Sequence, residues 1–287
     1  MSAVYKKELR THLNGMTGAI VIAFLLLMVG IYTIAYNLRG MYPNFETTVS
    51  AASFLYVLAI PVLTMRSVAE EKHAKTDQLL YSLPMSMTQI VLAKYFAMVT
   101  ILAIPCGVIC FYPLILGSFG TVRYSTAYAM ILAFFLLGAA LIAIGMFLSS
   151  LTESQVIAAV LTLAILLLLN FMSGLATLIP SSAAASLAGF LILALIAAVI
   201  VRIMTKNTTV AVSAGVILAA AVVLVYAVDA SLYENAIPRL LSAMALFDRL
   251  NPFSQGLFDV TAIVFYLSAA ALFVYLTVQS MEKKRWN

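Results

Sequence analysis

Charge is scarce in this chain: 9% of its 287 residues are Asp, Glu, Lys or Arg, against roughly 25% in an ordinary soluble domain. With 64% hydrophobic residues beside so few charges, a soluble enzyme is excluded. Histidine is limited to His12 and His73, cysteine to Cys106 and Cys110, and tryptophan to Trp286. Both histidines lie in charged segments, and no H-E-x-x-H pattern occurs, so intramembrane zinc hydrolysis is excluded as well. The two cysteines sit four apart in one apolar run, on one face of a helix without disulfide geometry, which is the pattern of small buried hydrophobes. A G-x-x-x-x-G-K-[ST] loop is also missing, so the chain cannot itself cradle the phosphates of ATP. The net charge of +5 is modest for this length, which argues against a nucleic-acid role.

What is present is length of apolar sequence. Runs near membrane length occur at 17–36, 49–65, 90–117, 127–149, 156–179, 184–201, 210–228 and 260–281, and a span needs about 20 such residues. The expected fold is therefore all-α: a polytopic membrane helical bundle of about eight transmembrane helices, forming one domain over 1–287. The first run has no small-residue cleavage site and reads as a retained span. Pro61 near the end of the second run, and Pro105 and Pro113 in the third, predict kinks or a re-entrant turn. With the N-terminus inside, Lys6, Lys7, Arg10, Arg66, Lys72, Lys75, Lys94, Arg202, Lys206, Lys283, Lys284 and Arg285 fall on the cytoplasmic side. Arg39, Arg123, Arg239 and Arg249 fall outside. That bias places both termini in the cytoplasm. Six spans plus an embedded hairpin is the alternative topology.

Three segments are not simple spans. Residues 4–16 carry Tyr5, Leu9, Leu13 and Met16 at helical spacing beside Lys6, Lys7 and Arg10, as in an amphipathic N-terminal helix lying in the headgroup layer; a disordered basic tail is the alternative. The loop 66–87 gathers Glu70, Glu71, Lys72, Lys75 and Asp77. Thr76, Leu79, Leu80 and Leu83 share one helical face there, and Glu71 precedes Lys75 by four, the favoured direction for a helical ion pair. The spacing predicts a charged helix that stops at Pro84. Periodicity leaves two uses for it open, docking to a soluble partner or merely joining two spans. Residues 229–258 are too polar to span, yet Leu240, Leu241, Met244, Phe247 and Leu250 make an apolar face, which predicts an extracytoplasmic interfacial segment bracketed by Pro238 and Pro252. Within the spans Asn170 is the clearest polar residue, either interhelical glue or part of a substrate path. No Asp or Glu lies deep in a run, Glu153 and Asp259 being near ends, which weighs against an ion-coupled carrier.

The loop EEKHAKTDQLLYSLPMS resembles the permease subunits of type 2 ABC transporters, in which a glutamate-rich helix, a threonine, a Leu-Leu pair and a proline recur before the next span. Those positions are Glu70 and Glu71, Thr76, Leu79 and Leu80, and Pro84. The stretch from Asn251 to Trp286, with an aromatic-rich last span and a basic tail, is similar to the gliding-motility-type (GldF-like) branch. The likeness departs at 184–228, which reads as an inserted pair of spans, because the family's usual subunit has six.

The resemblance implies an exporter permease in a bacterial or archaeal cytoplasmic membrane. It also implies a coupling region formed by Glu70, Glu71, Lys72, Lys75, Thr76, Leu79 and Leu80, with a second contact at 149–155. The implied partners are two copies of a cytoplasmic ATPase, which would use ATP and Mg, and a second permease, identical or related. This chain would bind no cofactor and no nucleic acid, and lipid would surround it. The competing readings are an ATP-independent secondary carrier and a membrane scaffold of a surface or motility assembly.

Overall fold

The computed structural model describes residues 1–75, 85–205 and 207–286, and the described residues are helical throughout, joined by short turns. In chain order the helices are α1 (Ser2–Asn14), α2 (Met16–Thr33, prolonged by a π turn over Ile34–Arg39), α3 (Phe45–Ala52), α4 (Tyr56–Thr64), α5 (Ala69–His73), α6 (Met87–Ile109), α7 (Tyr112–Gly117), α8 (Tyr124–Leu151), α9 (Gln155–Asn170), α10 (Met172–Leu178), α11 (Ala183–Thr205), α12 (Thr208–Val228), α13 (Ala236–Met244), α14 (Asn251–Ser254) and α15 (Val260–Trp286).

All eight apolar runs become helix, but not eight equal spans. Among the described residues, six stretches are long and apolar enough to cross a membrane: Met16–Arg39, Phe45–His73, Met87–Gly117, Tyr124–Leu151, Thr208–Val228 and Val260–Lys283. The fifth run is broken, α9 and α10 meeting at 54°. Asn170 and Gly174, both poor helix formers, flank that break. The sixth run is a shorter apolar helix over Ala183–Val199. The bundle is thus polytopic with six or seven candidate spans, fewer than the eight expected. Pro61 and Pro105 lie inside α4 and α6, while the helix breaks after Ile109 and Pro113 falls in the first turn of α7, where its missing N–H leaves no intrahelical bond unmade; Met87–Gly117 still runs as one candidate span.

The chain forms two compact units, residues 1–168 with 246–287, and residues 169–245. In the first, α8 is the central post, buried along most of its length and with α3, α4, α6 and α15 packed around it. Lipid is as apolar as leucine, so helices associate through close packing rather than through escape from solvent, and small residues allow it. Gly138 shows this directly. A Cβ there would stand 2.6 Å from Leu102 Cδ2 and 2.9 Å from Tyr56 Cζ, and Tyr56 in turn stacks on Phe134 with ring centroids 4.3 Å apart. One heptad on, Gly145 lies against Thr64 in the same way.

The two ends of this unit differ in chemistry. At one end α1, the segment 66–75, the start of α6, the end of α8 and the last turns of α15 come together, with Ser280 Oγ reaching the Ser150 carbonyl at 3.5 Å. The first and last helices therefore share an end. At the other end the turns are closed by hydrogen bonds and a cation–π contact, with no buried ion cluster among the described residues. Asn37 donates to the Tyr42 carbonyl at 2.7 Å and accepts from Thr48 at 2.6 Å, Thr126 donates to Glu46, and Tyr266 donates to the Leu246 carbonyl at 3.0 Å. Arg249 lies over the Phe265 ring, 4.7 Å from its centroid.

In the second unit α11 and α12 pack as a hairpin. The turn after it is held by Tyr233, whose hydroxyl donates to the Val222 carbonyl at 2.7 Å and whose ring meets Tyr226 and Phe190 edge-on. Ile237 of α13 fills the space above Gly189. The single apolar face expected over 240–250 is divided: Phe247 and Leu250 are buried, whereas Leu240 and Met244 are exposed.

Gly145→Leu forces a branched side chain into Thr64 and should lower stability by about 1–3 kcal/mol, the usual cost of overpacking. Thermal unfolding of the purified protein in detergent measures this, with Gly174→Leu, where a Cβ meets nothing within 4 Å, as the control expected to behave like the parent.

Candidate functional site

The charged end of the first unit contains a buried ion cluster. It begins with Lys94, two turns into α6, whose side chain is 2% exposed. An ammonium group has three hydrogens to place and cannot remain charged in an apolar bundle without acceptors. Lys94 Nζ finds Glu71 Oε1 at 2.8 Å, the Ser67 carbonyl at 2.9 Å and Glu8 Oε1 at 3.1 Å. Three parts of the chain, α1, the segment before α5 and α5 itself, thus converge on one side chain of α6. Lys7 stands 3.7 Å from both carboxylates but is 62% exposed, so it contributes little beside the buried ammonium. Arg66 and Glu70 pair at 3.0 Å in the i, i+4 register, both about half in solvent.

Glu8 reaches Lys94 because α1 turns its polar face inward. Val4, Glu8 and His12 are the buried positions of that helix, one helical stripe at i, i+4, i+8. Of the apolar positions, Leu13 and Met16 are turned away, 44% and 80% exposed, whereas Tyr5 and Leu9 are half-buried. Tyr5 still bonds α6, its hydroxyl 2.9 Å from Thr100 Oγ1. His12 lies one turn beyond Glu8, beside a cavity of about 240 Å³ lined by Glu8, Arg66, Ser67, Glu70, Glu71 and Lys94 among others. Burial holds its imidazole below the ordinary value of 6.5; the Glu8 carboxylate opposes this, while Lys94 and Arg66 add to it.

The segment after Thr64 is fixed from the other side by α8. Ser149 Oγ accepts from the backbone N–H groups of Ala69 at 3.1 Å and Val68 at 3.3 Å, and donates to the Met65 carbonyl at 3.3 Å. It caps the N-terminus of α5, whose first N–H groups would otherwise lack partners. Lys72 then donates to the Ser150 carbonyl. Ser149 and Ser150 are both fully buried, so of the stretch 149–155 only the part from Leu151 onward reaches the surface.

The residues singled out from sequence accordingly separate. Glu71 and Lys72 point into the bundle, Glu70 pairs at its margin with Arg66, and His73, Ala74 and Lys75 are exposed. The expected Glu71–Lys75 helical pair does not form. Helix α5 ends at His73, and Lys75 has left-handed φ of 55°, which takes it off the helical register, while the carboxylate of Glu71 is drawn to the buried ammonium. Thr76, Leu79, Leu80, Leu83 and Pro84 lie outside the described residues. Asn170 is not part of this cluster; it is the last residue of α9, half-buried at the break before α10.

Sequence reasoning counted Lys94 only toward the charge bias, did not single out Glu8, weighed His12 only as a metal ligand, and read Ser149 only as the start of a second partner contact at 149–155. The available signal was the position of Lys94 itself, a lone charge inside the third apolar run, where an ionisable residue demands a partner.

Residues 31–228, more than two thirds of the chain, match a protein family described as ABC-2 family transporter protein. The matched range includes the pair of helices at 184–228 and stops short of the C-terminal stretch. No curated protein matches the chain.

Two outcomes test the cluster. Lys94→Met leaves two carboxylates facing each other without their cation, and should cost about 3–5 kcal/mol, the range for one partner removed from a buried pair, read as a lowered unfolding temperature. The second concerns pH. The folded-state pKa of His12 is depressed, so between that value and 6.5 the unfolded chain binds a proton that the folded chain does not. Stability is therefore lost as pH falls from about 6.5 through the folded pKa. The unfolding temperature should fall more steeply between pH 7.5 and 5.5 for the parent than for His12→Gln.

Proposed function

The chain belongs to the ABC-2 family of transporter proteins, and on that premise we propose that it is the permease of an ATP-driven exporter, with a separate ATPase docking at its charged end. Without a phosphate-binding loop this chain is no ATPase; hydrolysis falls to a partner. The observation that carries the docking reading is the construction of the segment 66–75. It is a short charged helix held rigidly from within by Glu71 and Lys72, with His73, Ala74 and Lys75 left facing outward. Among the coupling residues Glu70, Glu71, Lys72, Lys75, Thr76, Leu79 and Leu80, the first three support the docking surface and Lys75 belongs to it.

This end gathers most of the Lys and Arg of the chain, so it faces the cytoplasm of a bacterial or archaeal cell, with both termini on that side. Two ATPases, using ATP and Mg, would serve a pair of permeases, this one and an identical or related partner. Closing of the ATPases would displace the coupling segments and shift the bundle between inward-open and outward-open states. Asn170, at the break in the fifth apolar run, is the polar group assigned to the translocation path. The sequence of 251–286 supports placement in the gliding-motility-type branch.

Purification of the tagged protein from its native membrane in mild detergent should recover a P-loop ATPase. His73→Glu with Lys75→Glu should reduce its recovery at least tenfold, about 1.4 kcal/mol, without lowering the unfolding temperature of the permease. A stable membrane complex without any ATPase would overturn the assignment.

A further inference from the structure

We propose that Lys94 is a positioning residue for coupling: its ammonium, through Glu71 and Glu8, makes the docking segment, α1 and α6 move as one body. This rests on the docking reading above and adds the route by which force leaves the segment. Helix α5 has five residues, too few to be stable alone, so it acts as a lever only through whatever holds it. Ser149 and Ser150 attach it to α8 by its backbone and by Lys72. Attachment to α6 and α1 runs instead through the ion cluster, Glu71 to Lys94 at 2.8 Å and Lys94 to Glu8 at 3.1 Å.

The third hydrogen of Lys94 is committed to the Ser67 carbonyl at 2.9 Å. With each donor matched to an acceptor, the ammonium cannot follow one partner without abandoning another, and at 2% exposure an abandoned bond is costly. A displacement imposed at His73 and Lys75 is therefore passed undiminished to the first turns of α6, and α1 travels with it. Tyr5 and Thr100, in contact at 2.9 Å, extend the same junction two turns further along α6.

The test uses the permease–ATPase complex. Hydrogen exchange of residues 118–124, the turn at the opposite end of α6 and α7, is compared with and without ATP and vanadate. The neutral variant Glu8→Gln, Glu71→Gln, Lys94→Met leaves no unpaired charge buried in the cluster, and with the ATPase at saturating excess, so that any weakening of docking through Glu71 does not enter, its ATP-induced change in exchange should fall at least tenfold. A variant with Tyr5→Cys and Thr100→Cys, joined by a short thiol cross-linker, should respond as the uncross-linked protein does, because the two helices do not separate during the cycle. A full response in the neutral variant, or loss of the response on cross-linking, overturns this inference and leaves the docking reading standing. Should the neutral variant fail to fold, the cross-linked one still decides. A wild-type complex with no ATPase, or one whose exchange ignores ATP, overturns the docking reading itself and this inference with it.

Discussion

An ammonium group at the end of an apolar bundle must be given acceptors on every side, and in this protein that demand fixes where the N-terminal helix, the first polar loop and α6 meet. Lys94 is only 2% exposed, so its nearest partners come from the chain. Glu8 arrives because α1 rotates its polar stripe inward, and Glu71 arrives because Ser149 fixes the start of α5. The rest of the charged end is arranged around these commitments. Lys72 is turned to α8 and Glu70 to Arg66, which leaves His73, Ala74 and Lys75 exposed among the described residues of this segment.

The helices of the bundle were legible because a span is a demand on length and composition, and every one of the eight apolar runs met it closely enough to become helix. What the runs could not reveal was continuity. Nothing in the hydropathy of 156–179 distinguishes a straight span from one bent by 54° after Asn170. In α1 the apolar positions Leu13 and Met16 face out, as a helix in the headgroup layer allows, while the stripe Glu8 and His12, which periodicity did not single out, turns in. Likewise the i, i+4 spacing of Glu71 and Lys75 is a local preference worth a few tenths of a kcal/mol, and it yields to a buried ammonium far along the chain. No local pattern could rank that partner; only the fold brings Lys94 beside Glu71.

The opposite end follows other physics. Its turns are closed by amide, hydroxyl and carbonyl groups, as in Asn37 with Tyr42 and Thr48, and the post between the two ends is packed through Gly138 and Gly145 at distances no larger residue would tolerate. Close packing of this kind transmits displacement instead of absorbing it, so the bundle is suited to carry a movement begun at its charged end.

The placement of the ion pairs also divides them by their response to dissolved salt. Lys7 and the Arg66–Glu70 pair lie within reach of mobile counter-ions, whose screening at physiological ionic strength acts over about 8 Å of water. The Lys94, Glu8 and Glu71 side chains are 2%, 9% and 14% exposed, where screening is much weaker. Rising ionic strength would therefore loosen the rim of this end more than its centre, and the junction between loop and span resists salt that weakens ordinary surface electrostatics.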